Sequence, residues 1–457
     1  MRTVKEESGQ ILVFTALSIA LLLGFVGLAT DVGQLFHVKR HLQIAADAAA
    51  TAGALYESYG ESAVTAGQAA ATANGVANGV DGAKVFINEP PLNGPNVGQS
   101  GFVEAIVSTP NNTIFMSLFG TPTVSVVARA VAGPGPGRAC IYLMNSTGTD
   151  FSLQGSAAVE APGDKQTCGI YSNSTSSDSV SVSGQGNNIY TAFVGTMGGL
   201  SAGGNSNTIP TPVTTNVPQQ SPPSSLDLTL PDPSTMKCIT PSGSSTKINS
   251  TYYTTLLQSD LPSGSTLSSA VCISGNVMLA GTSTGSGMLT LPAGLYVFTG
   301  QVGIGNYVTG TGITLDINGD SGPSIENILS VTSTTNVNLV APSPGPGDSG
   351  CKASGGACWS VLLAAPTTND ETFNIQWGSS GNANTCQTLS ETTAAGLGFD
   401  GIIDAPDVNV TMQDEGGYAM ITGMVVGTLQ MQTGFLCVDN YSVTNRYSPL
   451  STISLVE

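Results

Sequence analysis

From Gly9 to Thr30 the chain carries no charged residue. A helix over this run rises about 1.5 Å per residue and reaches about 33 Å, enough to cross the roughly 30 Å hydrocarbon core of a bilayer. No other feature of the 457-residue sequence restricts its fold as strongly, because lipid admits only helices or closed barrels. A cleaved secretory signal is the competing reading, since Arg2 and Lys5 precede the run and Gly27-Leu28-Ala29 offers small residues to a peptidase. The run outlasts the roughly 7–15 apolar residues of a signal, and Glu6 and Glu7 break its basic start, so a retained span is preferred. Within it Ala16, Ala20 and Gly24 recur every fourth residue, with Gly27 three further on. That small-residue face lets another helix approach closely, although ordinary span composition gives the same pattern.

Past Thr30 the apolar pattern narrows without stopping. Leu35, Val38, Leu42, Ala45, Ala49, Ala52, Tyr56 and Tyr59 alternate at spacings of three and four, while Lys39, Arg40, Gln43, Asp47 and Glu57 lie off that stripe. No proline occurs from Met1 to Glu89, so the sequence predicts one continuous helix leaving the membrane.

The residues that flank and follow the span carry a more specific likeness. "ESGQILVFTAL" and "GLATDVGQLFHVKRHLQIAADAAATAGA" resemble the N-terminal segment of the TadE/TadG-like Flp pilus-assembly family. The matching positions are Gly9 and Gln10 before the span, Asp31 and Gly33 after it, then Leu42, Gln43, Ala46, Asp47, Ala48, Ala49, Ala50 and Gly53. Weaker likeness continues through Gly101 to Gly133. The resemblance implies a membrane-anchored structural component of type IV-like pilus assembly, whose N-terminal helix meets other pilus-assembly or secretion subunits. Prepilin-type processing sites carry a glutamate five residues beyond the cleavage glycine; counted from Gly9, that position is Phe14, which argues against such cleavage.

Thirty acidic against 12 basic residues give a net charge of −18, and all but one unit of it lies after Ser58. Nucleic acid is therefore not an expected partner, because phosphate binding needs clustered Lys and Arg. The eight cysteines, Cys140, Cys168, Cys238, Cys272, Cys351, Cys358, Cys386 and Cys437, all follow the span. An even count on one side of a membrane suggests an oxidising compartment and up to four disulfides, with Cys351 and Cys358 close enough in sequence to close a local loop. This places the N-terminus in the cytoplasm and the remainder outside; together with the family resemblance it implies a single pass of the bacterial inner membrane, with the remainder in the periplasm or at the cell surface.

The expected fold class is α+β multidomain. Residues 1–60 form the transmembrane and projecting helix, 61–133 a small helix-plus-strand segment, and 134–457 a large all-β domain. A Gly/Pro linker, Ala132 to Arg138, separates the last two, and seven prolines between Ser206 and Ser234 predict an extended excursion. The β domain consists of short apolar runs separated by Gly, Ser and Asn corners, consistent with a parallel β-solenoid or a β-sandwich. Leu291 to Ile317 resembles rungs of right-handed β-helix proteins, which favours the solenoid, although no strict repeat period is found.

Enzyme chemistry finds little support. His37 and His41 sit one helical turn apart without a third ligand, and the β region has no histidine to serve as base for Ser283 in "GTSTG". "GLGFDG", Gly396 to Gly401, precedes β-branched residues and Pro406 instead of a helix. "DINGD", Asp316 to Asp320, opens like a calcium loop but lacks the glycine and glutamate such a loop requires. Neighbouring carboxylates such as Asp370 with Glu371, and Asp414 with Glu415, face opposite sides of a strand. No catalytic residue, metal or cofactor is expected. Besides the pilus-associated structural reading, a membrane-tethered adhesin binding a surface glycan is the alternative, with Tyr296, Tyr307, Trp359 and Trp377 as its aromatic candidates.

Overall fold

The structure, a computed structural model, describes residues 8–58, 61–99, 101–134, 139–161, 168–205, 207, 209, 213–221, 228–248, 251–318, 327–334, 336–343, 351, 356, 358–365, 372–377, 397–414, 418–438 and 453–456. It forms two compact units, residues 1–135 with 453–457, and residues 136–452. The helix and the segment after it thus share one unit instead of forming two. The C-terminal residues return to that unit instead of ending the β domain. Tyr59 and Cys386 lie outside the described residues.

In the first unit α1 (Ser8–Ser58) is one unbroken helix of 51 residues, as the absence of proline and the run of good helix formers require. Its two halves meet different surroundings. Leu12, Phe14, Leu17, Leu21, Phe25 and Leu28 are exposed, whereas Leu42, Ala45, Ala46, Ala49, Ala50 and Ala54 are buried. The buried half lies against α2 (Ala63–Ala73) and the antiparallel strands β1 (Lys84–Asn88), β2 (Val103–Asn112) and β3 (Thr123–Pro134). Small residues set that distance. A Cβ on Gly67 of α2 would stand 2.8 Å from Ile87 and 3.0 Å from the carbonyl of Ala49, so backbones approach where alanine and glycine face each other. The stripe predicted on α1 therefore packs within the chain. A short C-terminal strand, Ile453–Leu455, pairs antiparallel with β3, so the second unit is inserted between two neighbouring strands of the first.

Among its described residues, the second unit pairs its strands in parallel except for one antiparallel hairpin, Ser245–Ile248 with Thr251–Thr255. Starting from Val271–Ile273, parallel pairing passes to Gly294–Phe298, Ile313–Ile317, Val361–Ala364 and Leu397–Asp414. A neighbouring file runs from Val277–Leu279 through Val302–Ile304, Asn327–Thr334 and Thr372–Trp377 to the same long strand. In the first part of the unit the corners stack in register. Gly155, Gly184 and Gly204 all have positive φ, and a side chain at Gly204 would overlap the carbonyl of Gly184. Beside them the Asn187 amide nitrogens donate to the side-chain oxygen of Asn207, while Asn187 accepts from the amide of Ala157. Phe151, Tyr296, Phe298, Phe373 and Phe399 fill the interior and are fully buried.

The stacking order differs from the chain order. The last long strand, Tyr418–Val438, lies between Leu397–Asp414 on one side and Ala139–Leu143 and Phe151–Glu160 on the other. The first strands of the unit then continue outward through Gly169–Ser172 and Val194–Thr196 to Val213–Thr215. Cys238–Ile239, next in sequence, pairs with Val271–Ile273 at the opposite end. Ten strand-to-strand steps separate the two ends of this file, about 48 Å at roughly 4.8 Å each. The proline-rich excursion bridges them, since the chain between Thr215 and Cys238 reaches about 70 Å in a polyproline conformation of about 3.1 Å per residue. Near its start, Asn173 and the backbone of Gln220 exchange two hydrogen bonds of 2.7 and 2.9 Å. Further on, Leu228 and Leu230 pack against a cluster that holds Tyr142, Tyr171 and Phe193.

Candidate functional site

Where the uncharged run of α1 ends, the tip of the β2–β3 hairpin folds back onto it. Asp31 is 1% exposed, and its two oxygens accept hydrogen bonds from the amides of Ile114 and Met116 at 2.9 and 2.7 Å. A buried carboxylate is costly unless its charge is satisfied, and here two backbone donors do so. Those amides precede and open a tight turn, Met116–Phe119, that ends at Gly120 in the left-handed region with φ of 88°. The Phe115 ring lies across the face of α1 at Gly24 and Gly27; a Cβ on Gly27 would overlap that ring. Phe119 packs on Phe115 with centroids 5.3 Å apart.

The other motif positions do related work farther along α1. Leu42 is core, and the Gln43 amide donates to Asp47 at 2.8 Å and to the carbonyl of Arg129 on β3 at 2.9 Å. A Cβ on Gly53 would come within 2.9 Å of Val103 and 3.2 Å of the Ala63 carbonyl. Gly33 has open space around it, and Gly9 lies in the second residue of α1. Lys39 donates to the carbonyl of Val127. On the sheet, buried Glu104 accepts from Arg129 at 2.6 Å, Asn88 at 2.7 Å and the amide of Leu92 at 3.1 Å. Burial raises the Glu104 carboxyl, but these partners outweigh it and hold it below its ordinary value.

Of the small-residue face, Ala16 and Ala20 are exposed, whereas Gly24 and Gly27 face Phe115 of the same chain. The sequence reading did not single out the hairpin tip. Its signal lay in the interval Ala105 to Ala128, which has no charged residue and contains "TIFMSLFG".

The structure joins Cys140 to Cys168, Cys238 to Cys272 and Cys351 to Cys358, and Cys437 is also disulfide-bonded. The first two link neighbouring parallel strands or their flanks. His37 and His41 are exposed, and among the described residues no group of three or more metal-ligating side chains occurs. Ser283 sits in an exposed turn, and the strand Leu397–Asp414 runs on through Gly401 where a dinucleotide site would need a helix. Asp316 is fully buried in its strand, while Asp320, Asp370, Glu371 and Glu415 lie outside the described residues. Tyr296 is core and donates to the Pro292 carbonyl at 2.7 Å, so it is removed as a surface-binding candidate. Tyr307 and Trp359 are half-buried, and the side chain of Trp377 is not among those described.

With this geometry established, the comparisons with known proteins bear on α1. Residues 9–55 match the family model described as putative Flp pilus-assembly TadE/G-like. The match is confined to this N-terminal segment, which is similar to the TadE/G-like Flp pilus-assembly domain and contains a helix long and apolar enough to cross a membrane. Comparison with curated proteins and with solved structures returns no match.

Proposed function

We propose that the protein is a single-pass structural subunit of Flp/Tad pilus assembly that holds an extracytoplasmic β-solenoid outside the inner membrane. The observation that carries this reading is the division of α1. The same helix that matches the pilus-assembly family leaves the large apolar side chains of its first half exposed and buries its second half in a folded unit. The N-terminus lies in the cytoplasm, and the disulfides of the second unit suit an oxidising compartment beyond the membrane. Parallel strands stacked in files, with corners in register, support the solenoid over a sandwich. Ala16 and Ala20 leave a small-residue surface for a neighbouring subunit's helix. The work proposed for the chain is mechanical, presenting the second unit at a fixed membrane site.

Alkaline carbonate extraction combined with mass spectrometry of the mature N-terminus tests this. The expected result is a membrane pellet that retains residues 12–30, with the second unit digested by protease added to spheroplasts. A soluble, released chain beginning near Asp31 would overturn it.

A further inference from the structure

We propose that the β2–β3 hairpin tip, Thr113–Gly120, is a second membrane contact that enters the same bilayer leaflet from which α1 emerges. The inference rests on the membrane-anchored reading of α1. Position comes first. Phe115 touches α1 at Gly24 and Gly27, about 9 and 5 Å inside the end of the uncharged run at Thr30, counted at about 1.5 Å per residue. That depth is where hydrocarbon gives way to headgroups, so a tip fixed there cannot avoid the bilayer.

The chemistry of the tip agrees. Ile114, Leu118 and Phe119 are 69, 76 and 75% exposed, and Phe25, Leu28 and Val32 of α1 are exposed as well. No charged side chain lies between Glu104 and Arg129. Most of the tip's backbone donors also have partners within the chain. The amides of Ile114 and Met116 donate to Asp31, and those of Leu118, Gly120 and Thr121 donate to Phe115, Ser117 and Met116. The amide of Thr113 donates to Pro122, while the hydroxyls of Thr113 and Ser117 donate to the carbonyls of Thr121 and Ile114. A loop whose donors are paired internally can leave water, whereas an ordinary solvated loop loses its water partners on doing so. Asp31 therefore pins the tip to the helix and supplies the acceptors that the bilayer lacks. Lipid is favoured over a protein occupant because Phe115, with Phe119 packed on it, joins the patch to α1 at Gly24 and Gly27, inside the uncharged run.

The test uses the full chain reconstituted in phosphatidylcholine–phosphatidylglycerol vesicles, with part of the lipid brominated on the upper acyl chain. Leu118→Trp and Phe119→Trp are each read as a difference from the parent chain, whose Trp359 and Trp377 provide the background. Leu21→Trp reports the span. Phe86→Trp, on β1 opposite Ile106, reports a surface about 26 Å of strand away from Ile114 at roughly 3.3 Å per residue. The expected result is blue-shifted emission and strong quenching by brominated lipid at both tip positions and at Leu21→Trp, with none at Phe86→Trp. Tip emission that matches Phe86→Trp while Leu21→Trp is quenched would overturn this inference alone. An unquenched Leu21→Trp would overturn the membrane anchor as well. Tip tryptophans shielded from aqueous iodide yet unquenched by brominated lipid would show that a protein covers the patch, which also overturns it.

Discussion

The two units solve the problem of a scarce core in opposite ways. The first packs small side chains: alanines of α1 and glycines at Gly53 and Gly67 bring a helix, a second helix and a sheet close together. The second fills its interior with Phe, Leu, Ile and Val and repeats one parallel pairing many times. A small-residue contact depends on the absence of atoms, so it fails when atoms are added. A stacked ladder depends on neighbouring strands staying together, so it fails when the links between them are cut. The cysteines follow this division, because all eight belong to the second unit.

Reduction should therefore separate the two most sharply. Each disulfide contributes about 2–4 kcal/mol by constraining the unfolded chain, so reductant should lower the stability of the second unit by several kcal/mol and leave the first unchanged. Hydrogen exchange read by mass spectrometry resolves the units in one sample; equal loss of protection in both would break the comparison. The converse perturbation is Gly67→Leu. It places atoms where a Cβ alone already meets Ile87 at 2.8 Å, and it should cost the first unit about 1–3 kcal/mol, with no change in protection of the second.

The units should also respond to acid in opposite directions. In the second, burial pushes the carboxyls of Asp150 and Asp316 up to about 7, offset only in part by Ser172, Ser174 and Asn173 around Asp150 and by Asn318 near Asp316. A folded state that retains a proton the unfolded chain releases is most stable below the unfolded value of 3.8, and it loses that stability as pH rises to about 7. In the first unit Glu104 is held below 4.5, so its contribution is present above 4.5 and is lost as pH falls through the lower folded value. Lowering pH from 8 to 5 should strengthen protection of the second unit and leave the first unaltered; a further fall below 4 should weaken the first. Asp316→Asn should reduce the response of the second unit, and a response of undiminished size would reject this assignment.

What was legible in the sequence follows the range of the interactions. The rod was legible because helical periodicity is local and Gly9 to Thr30 is long. The stripe from Leu35 onward was legible as a contact surface, but its partners, α2 and the sheet, depend on chain that comes later. The depth of the hairpin tip was not legible, because it rests on hydrogen bonds from Ile114 and Met116 to Asp31, more than 80 residues earlier. In the second unit the short strands and glycine corners were readable, whereas the stacking was hidden by unequal coils. Val271, Tyr296, Leu315, Leu363 and Ile403 follow one another in one file at intervals of 25, 19, 48 and 40 residues, and no fixed period survives such loops.

The proline-rich excursion gives the finest test, because it asks whether the second unit is held only by its ladder. The excursion's destination was not readable, since the first and last coils of the file are adjacent in sequence only through this stretch. Leu228 and Leu230 are half-buried against the cluster containing Tyr142, Tyr171 and Phe193, so replacing both by serine removes part of two apolar contacts. At about 25 cal/mol for each Å² returned to water, the expected loss is about 1–2 kcal/mol. A strap that only connects should show no change in protection at Tyr142 and Tyr171 when these leucines are lost. A strap that packs should expose those aromatic rungs first and leave the distant strands, such as Val302–Ile304, protected. Loss spread evenly over every coil would instead mean that the two ends of the ladder communicate through the strap as one cooperative unit.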